Sequence, residues 1–135
     1  VTGGTRGIGF AIVKAFLEEG ASVALFGSRQ ETVDKALASL KAENESAKVI
    51  GLCPNLSCYP EVESAVQEVK NHFGKIDILV NNAGIMDEMM PVGEVEKFAN
   101  AILNAKRSAR TCEICYNIST QSPCQICVFG LYPFF

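Results

Sequence analysis

The sequence predicts an α/β fold built around a doubly wound parallel sheet, and three observations support that prediction. Short apolar segments alternate with longer amphipathic segments along the first two-thirds of the chain. The short segments at 22–26, 49–53 and 76–80 are apolar at most positions, which is typical of parallel strands covered on both faces. A glycine-rich segment at 2–9 links the start of the chain to the first helical pattern. This order of strand, glycine turn and helix is typical of Rossmann-like folds.

The helices are predicted from apolar residues at helical spacing. Residues 8–19 fit a first helix and residues 30–43 a second. A third begins near Pro60, whose fixed φ suits a first helical turn, and ends at Gly74. We expect Val1–Thr2 to be the end of a first strand, so the order β-α-β-α-β-α-β predicts four strands in the spatial order 3-2-1-4.

The sequence changes character beyond the fourth predicted strand. Residues 94–107 fit one more helix, whereas residues 108–135 are rich in Cys, Ser, Thr, Asn and Gln and show no periodicity. We therefore divide the chain into a partial nucleotide-binding domain at 1–93 and an irregular C-terminal tail at 94–135. With no strand predicted in the tail, the outer edge of the fourth strand should be unpaired, and the isolated chain should be poorly soluble or only partly folded.

Composition limits the partners and the compartment that we expect. Of the 135 residues, 48% are hydrophobic, and the formal net charge is −3. This balance argues against nucleic acid and against an anionic membrane surface as partners. No apolar run reaches the roughly 18–20 residues of a membrane span. Scattered cysteines in an α/β chain are typical of reduced thiols in the cytoplasm, so we expect a cytoplasmic protein.

The glycine-rich segment TGGTRGIG at 2–9, called the glycine loop below, has the residues that a phosphate-binding turn requires. Glycine permits positive φ and a close approach of phosphate to the backbone. A helix that starts near Gly7 offers free N–H groups and the positive end of its dipole to an anion. Such a triplet also occurs in ordinary strand-to-helix turns. A second segment, NNAG at 81–84, follows the fourth predicted strand.

Together, these two segments resemble the signatures of the short-chain dehydrogenase/reductase family, in the same order along the chain. The resemblance covers residues 1–93 and implies an oxidoreductase that transfers hydride between a nicotinamide cofactor and a small-molecule carbonyl or alcohol. It also implies a set of cofactor-binding residues: Gly3, Thr5, Arg6, Gly7, Ile8 and Gly9 at the pyrophosphate, Asn55 with Leu56 at the adenine, and Asn82, Ala83 and Gly84 at the riboses. Asn55 stands where the family often has Asp, but its side-chain oxygen could still accept a hydrogen bond. Asp77 would brace the loop rather than contact the ligand.

Ser28 and Arg29 follow the second predicted strand, where dinucleotide-binding folds discriminate between NAD and NADP. An acidic residue there binds the ribose 2′-OH of NAD, whereas Arg accommodates the 2′-phosphate of NADP. No acid is present at Gly27 or Ser28, and Arg29, Ser28 and Arg6 could all bind a phosphate. We therefore predict NADP(H). The alternative is NAD, with Arg29 as a solvated residue and Glu31 near the ribose.

The proton relay of the resembled family is missing from this chain. That family uses a Tyr, a Lys four residues later that lowers the Tyr pKa from about 10, and a Ser. The residues four positions after Tyr59 and Tyr116 are Glu63 and Thr120, and Tyr132 is too near the end. We predict no catalytic residues and no catalysis by this chain. We favour a truncated or misread version of a longer enzyme, with a frameshifted or foreign tail. The alternative is a short, non-catalytic nucleotide-binding protein.

Four tail cysteines, Cys112, Cys115, Cys124 and Cys127, have the spacing C-x2-C-x8-C-x2-C. Four thiolates can hold zinc tetrahedrally, and paired C-x2-C segments suit that geometry. The spacer is shorter than in common zinc ribbons. We favour chance spacing and predict no metal site, with a zinc-bearing interaction module as the alternative.

Overall fold

The structure, a computed structural model, describes residues 1–84 and 124–127. Within these ranges it contains three helices and four strands, which alternate up to residue 81. They are α1 (Gly7–Glu18), β1 (Val23–Phe26), α2 (Gln30–Glu43), β2 (Val49–Leu52), α3 (Tyr59–Phe73), β3 (Ile78–Asn81) and β4 (Cys124–Cys127). The helix predicted at 94–107 lies outside the described residues.

The helix ends follow the residues that predicted them. At the end of α1, the Ala21 N–H donates to the Phe16 carbonyl at 3.0 Å and the Gly20 N–H to the Leu17 carbonyl at 3.0 Å. This pair of bonds is the Schellman motif, which satisfies carbonyls that the last helical turn leaves free. Helix α3 has Pro60 in its first turn and ends before Gly74. The three predicted helices are therefore confirmed to within about a residue at each end.

The order of the sheet strands is confirmed by backbone hydrogen bonds. Strands β1 and β2 are parallel, with Val23 opposite Val49. Thr2 forms a parallel bridge with Phe26 on one side, and its N–H donates to the Val80 carbonyl at 2.9 Å on the other. The first two residues therefore lie between β1 and β3. Counted along the chain from this first segment, the order is the predicted 3-2-1-4.

Strand β4 overturns two expectations about the tail. It pairs in parallel with β3, with Ile78 opposite Cys124 and Asn81 opposite Cys127. The tail is therefore not wholly irregular, and the β3 edge is not unpaired, so the expectation of poor solubility loses its basis. The segment CQIC at 124–127 carries no strand signal of its own. Strand formation at such a site depends on the pairing partner more than on local propensity, so sequence alone did not reveal it.

Apolar residues cover the sheet on both faces, as the strand composition predicts. Helices α1 and α2 contribute Val13, Val33 and Leu40 to a cluster that packs against β1 and β2. Helix α3 packs on the other face, where Val62 and Val66 contact Leu79. This arrangement is the doubly wound plan. Within the described ranges, no helix has the length and apolar character needed to cross a membrane.

One ion pair links the two helices that share a face of the sheet. Lys14 of α1 lies 2.6 Å from the Glu43 carboxylate of α2. The hydrogen bond to Glu43 and its negative charge raise the pKa of Lys14 above its ordinary value. Lys14 is charged at neutral pH with or without this shift, and the ion pair links the C-terminal end of α2 to α1.

Candidate cofactor-binding site

The predicted site residues gather at the edge of the sheet where the parallel strands end. The glycine loop follows the first segment, Ser28 and Arg29 follow β1, Asn55 and Leu56 follow β2, and residues 82–84 follow β3. Ligands of open α/β sheets bind outside the carboxyl ends of the strands. The fold therefore brings the predicted residues to one edge, and their contact with a cofactor stays a prediction.

The glycine loop packs so closely on the start of α1 that side chains are excluded. A Cβ atom on Gly9 would lie 2.2 Å from the Gly3 carbonyl oxygen and 2.5 Å from Asn82 Nδ2. Gly3 itself has φ +67°, and a Cβ there would lie 3.0 Å from the same Asn82 nitrogen. Gly7 differs, because a Cβ on it would meet nothing within 4 Å. Gly3 and Gly9 are thus needed for packing within the protein, whereas Gly7 faces open space.

Thr2 and Asn82 fasten the glycine loop to the end of β3. The buried Thr2 hydroxyl oxygen accepts hydrogen bonds from the N–H groups of Asn82 and Ala83, both at 3.0 Å. The Asn82 side-chain nitrogen donates to the carbonyls of Thr2 at 3.1 Å and Gly3 at 3.2 Å. We call these bonds the Thr2–Asn82 network. Sequence reasoning did not single out Thr2, although its position directly before the first loop glycine was a usable signal.

The start of α1 presents polar and apolar groups to solvent. Arg6 precedes the helix and gives it no side-chain cap. The first N–H groups of a helix lack partners inside it, so an uncapped start attracts an anion. Arg6 is exposed, and Ile8 keeps 64% of its surface exposed although it is a large hydrophobic residue. The combination suits a ligand that has both phosphate groups and a flat apolar part.

Ser28 and Arg29 form an exposed, cationic corner beside the glycine loop. Both side chains are exposed, and Arg29 directly precedes α2. The competing acid, Glu31, forms an ion pair with Lys35 at 2.6 Å, one turn further along the same helix. Because that pairing partly neutralises Glu31, the local charge at the corner is set mainly by Arg29.

Asn55 organises the loop after β2. Its side-chain oxygen accepts a hydrogen bond from the Ser57 N–H at 3.0 Å, and its own N–H donates to the Glu61 carboxylate at 2.9 Å. An amide oxygen has two lone pairs, so one position is left for a donor such as an adenine amino group. Leu56 is half-buried and packs against the core of α3 and β3.

Asp77 does not brace the loop, contrary to the expectation from the resemblance. It precedes β3 at the opposite end of the sheet and forms an exposed ion pair with Lys75 at 2.8 Å. Among the described residues, no three His, Cys, Asp or Glu side chains are grouped closely enough to hold a metal. Cys112 and Cys115 lie outside those residues.

Comparison with known proteins gives the family. The family model described as short chain dehydrogenase matches residues 1–117. The chain belongs to this family, which confirms the resemblance carried by the two glycine-containing segments. A second, short match, to the four-cysteine zinc finger domain of RecR, covers residues 109–127.

Two curated relatives carry the names of hydroxysteroid dehydrogenases. The chain is 59% identical over 85 residues to 3alpha-hydroxysteroid dehydrogenase of Mediterraneibacter gnavus, covering 63% of this chain and 34% of the relative. It is 41% identical over 98 residues to 3beta-hydroxysteroid dehydrogenase 2 of Eggerthella lenta, covering 71% of this chain and 36% of the relative. The chain therefore spans about a third of the length of these two relatives.

Solved structures show the same fold. A short chain oxidoreductase of Pseudomonas aeruginosa has a TM-score of 0.84 at 25% identity, covering 96% of this chain and 51% of that chain. A short chain dehydrogenase of Burkholderia cenocepacia, solved in complex with NADP, has a TM-score of 0.79 at 27% identity, covering 94% of this chain and 52% of that chain. These likenesses confirm the Rossmann-like class predicted from the sequence.

Proposed function

We propose that this chain binds NADP(H) and is the cofactor-binding part of an oxidoreductase that interconverts alcohols and carbonyls. The observation that carries the proposal is the glycine loop, which the Thr2–Asn82 network holds beside the uncapped start of α1. The NADP bound by the Burkholderia cenocepacia protein supports the choice of cofactor.

The described residues fit the parts of the dinucleotide. The first N–H groups of α1 would bind the pyrophosphate, and Arg29 and Ser28 would bind the 2′-phosphate. The free lone pair of the Asn55 oxygen would accept from the adenine amino group. When bound, the cofactor would donate the hydride in its reduced form and accept it in its oxidised form. No Tyr-x-x-x-Lys is present anywhere in the 135 residues, so we propose that this chain by itself binds cofactor without transferring hydride.

The names of the relatives suggest the substrate class. Two are hydroxysteroid dehydrogenases, one of them 59% identical over the matched residues. We propose that a protein containing this cofactor site acts on a hydroxysteroid or its ketone. The free thiols of Cys53 and Cys58 support a cytoplasmic location, where cysteines stay reduced. The family match extends to residue 117, beyond the boundary at 93, so the zinc-finger match at 109–127 supports a foreign origin only for the end of the tail.

Titration of the purified chain with NADPH and NADH tests the cofactor proposal. We expect NADPH to bind more tightly, and Arg29→Glu to weaken NADPH binding by roughly 10–100-fold, since a charge-assisted bond contributes about 1.5–3 kcal/mol. NADH binding should change little, so the order of the two affinities should reverse. Isothermal titration calorimetry gives the two dissociation constants.

Lys41→Glu is the matched control for this charge reversal. Lys41 is exposed in the last turn of the same helix, far from the corner formed by Ser28 and Arg29. Lys41→Glu should leave the affinities for NADPH and NADH within about twofold of the wild-type values, because exposed charges beyond about 10 Å are screened by salt. Equal wild-type affinities for NADPH and NADH would contradict the assignment to NADP. Steady NADPH consumption with a 3-oxosteroid would contradict the absence of catalysis.

A zinc-binding tail is the second candidate function, and the match to a four-cysteine zinc finger at residues 109–127 favours it. Four cysteines with the spacing C-x2-C-x8-C-x2-C would bind one zinc ion. A C-x2-C pair that binds one metal needs a turn between its cysteines, whereas residues Cys124–Cys127 have the extended backbone of β4. Zinc binding by all four cysteines and full pairing of β4 with β3 are therefore alternatives.

Metal analysis of the purified chain decides between these alternatives. The zinc candidate predicts about one equivalent of tightly bound zinc that Cys112→Ser removes, because loss of one thiolate breaks a closed tetrahedral site. Cys53→Ser is the control, since Cys53 lies at the end of β2 among the half-buried residues. Metal-free protein whose tail thiols all react with a thiol reagent would rule the zinc candidate out.

A further inference from the structure

Gly27 lies between the glycine loop and the pair Ser28 and Arg29, which are the two segments proposed to bind phosphate. It is buried and directly follows β1, before Ser28 and Arg29. A Cβ atom on Gly27 would lie 2.5 Å from Val33 Cγ2 of α2 and 2.7 Å from Thr5 Cγ2 of the glycine loop. Both distances are well below van der Waals contact. The single missing side chain at Gly27 therefore makes room for α2 on one side and for the glycine loop on the other.

Val33 cannot yield to a side chain at position 27. It is completely buried, and its other methyl group, Cγ1, would lie 2.4 Å from a Cβ on Gly51 of β2. A valine in a helix has one strongly preferred side-chain rotamer. Since one methyl occupies the space over Gly27 and the other the space over Gly51, rotation of Val33 relieves neither contact. An added side chain at position 27 must therefore move α2 or push Thr5.

Movement of Thr5 would reach the pyrophosphate side of the site. Thr5 is half-buried in the glycine loop, whose Thr2 and Gly3 carbonyls are held by Asn82. Because Asn82 fixes the loop at Thr2 and Gly3, a shift of Thr5 would displace the residues at the start of α1.

We propose that Gly27 is a positioning residue that sets the spacing between the glycine loop and the start of α2. Its contribution to the site is the absence of a side chain, and not merely the absence of a negative charge. This inference rests on the proposed function, because it concerns the same NADP(H) site. It implies that an acid at position 27, which dinucleotide-binding folds use to select NAD, would also displace Thr5 or α2.

Gly27→Ala separates the steric contribution from the charge, because alanine adds one methyl group and no charge. We expect it to weaken NADPH and NADH binding alike, at least about tenfold, since each hydrogen bond to a charged phosphate that is misaligned costs about tenfold or more in affinity. If only charge mattered at position 27, both affinities would be unchanged. Titration of the intact chain with each dinucleotide, together with its thermal unfolding midpoint, measures the two effects.

Gly51→Ala is the matched control for a general loss of stability. It adds the same methyl group against the same Val33 side chain but does not approach Thr5. It should lower the unfolding midpoint to a similar extent and weaken NADPH binding by less than about threefold. If Gly51→Ala weakens binding as much as Gly27→Ala does, the proposal is overturned.

A rescue experiment identifies Thr5 as the neighbour that transmits the effect. Thr5→Ser removes the methyl group at 2.7 Å and keeps the hydroxyl. In Gly27→Ala/Thr5→Ser, we expect most of the NADPH affinity of Thr5→Ser to return, whereas the unfolding midpoint stays low because the Val33 contact is unrelieved. Failure of the binding to recover would overturn the proposal.

Three further outcomes of these experiments can be told apart. If Gly27→Ala does not fold, Gly27→Ala/Val33→Ala is titrated in its place against Val33→Ala, because it removes the contact at 2.5 Å and keeps the one with Thr5. It should show the same loss of binding, and unchanged binding would overturn the proposal. A wild-type chain that binds neither dinucleotide overturns the proposed function, and this inference with it. A wild-type chain that binds NADPH, with Gly27→Ala equal to it, overturns this inference alone.

Discussion

Gly9→Ala should destabilise the chain and abolish measurable dinucleotide binding at moderate concentrations. The added Cβ would lie 2.2 Å from a backbone oxygen, that of Gly3, and 2.5 Å from Asn82 Nδ2. Overpacking of this kind costs about 1–3 kcal/mol, and more where the neighbour is backbone and cannot rotate away. Relief of the contact has to displace the glycine loop, so two or more N–H bonds to the pyrophosphate should be lost and NADPH affinity should fall by roughly a hundredfold or more.

The expected loss of stability in Gly9→Ala is opposite in sign to the change that helix propensity predicts. Alanine is favoured over glycine inside a helix by about 0.5–1 kcal/mol, so a loss of stability in Gly9→Ala isolates the steric contact. Gly7→Ala is the comparison, because a Cβ there meets nothing within 4 Å and only the positive φ of 57° is strained. We expect urea unfolding to show the larger loss for Gly9→Ala. Equal losses at the two positions would contradict the packing role that we assign to Gly9.

The order of the elements up to residue 81 and the ends of the helices could be predicted from sequence because their signals are local. Apolar spacing defines the helices, and Gly20, Pro60 and Gly74 mark their ends. The strand order 3-2-1-4 followed from the plan of doubly wound sheets rather than from any one residue. Strand β4 could not be predicted, since CQIC becomes a strand through its pairing with β3, a contact between distant parts of the chain.

The site shows the same division between local and distant information. The glycine loop and the residues at 82–84 were recognisable as segments, but the sequence did not reveal that Thr2 and Asn82 join them. Nor did it reveal that Gly27 is needed for packing, because its neighbours Thr5 and Val33 come from two different segments. Asp77 illustrates the opposite error. It lies inside a recognised segment and was expected to brace the loop, but its position before β3 and its ion pair with Lys75 exclude that role.

Thr2→Val should destabilise the chain by about 1–3 kcal/mol, because two part-buried N–H groups, those of Asn82 and Ala83, lose their acceptor. Valine has nearly the shape of threonine, so packing is preserved and the change isolates the hydroxyl group. Thr2 is 3% exposed, and its oxygen accepts from the Asn82 and Ala83 N–H groups. Urea unfolding measures the loss. NADPH affinity should also fall, since the end of β3 would no longer be fixed to the glycine loop.

Thr32→Val provides the matched control, and a double-mutant cycle tests the connection to Asn82. The Thr32 hydroxyl donates one exposed bond to the Arg29 carbonyl at 2.8 Å, so its loss should cost less than about 1 kcal/mol. Asn82→Ala removes the two side-chain bonds to the loop carbonyls from the other half of the network. If the network acts as a unit, the combined effect of Thr2→Val and Asn82→Ala should be smaller than the sum of the single effects by at least about 0.5 kcal/mol. Strict additivity would mean that the loop and the end of β3 are held independently, and that Thr2 serves the sheet rather than the cofactor site.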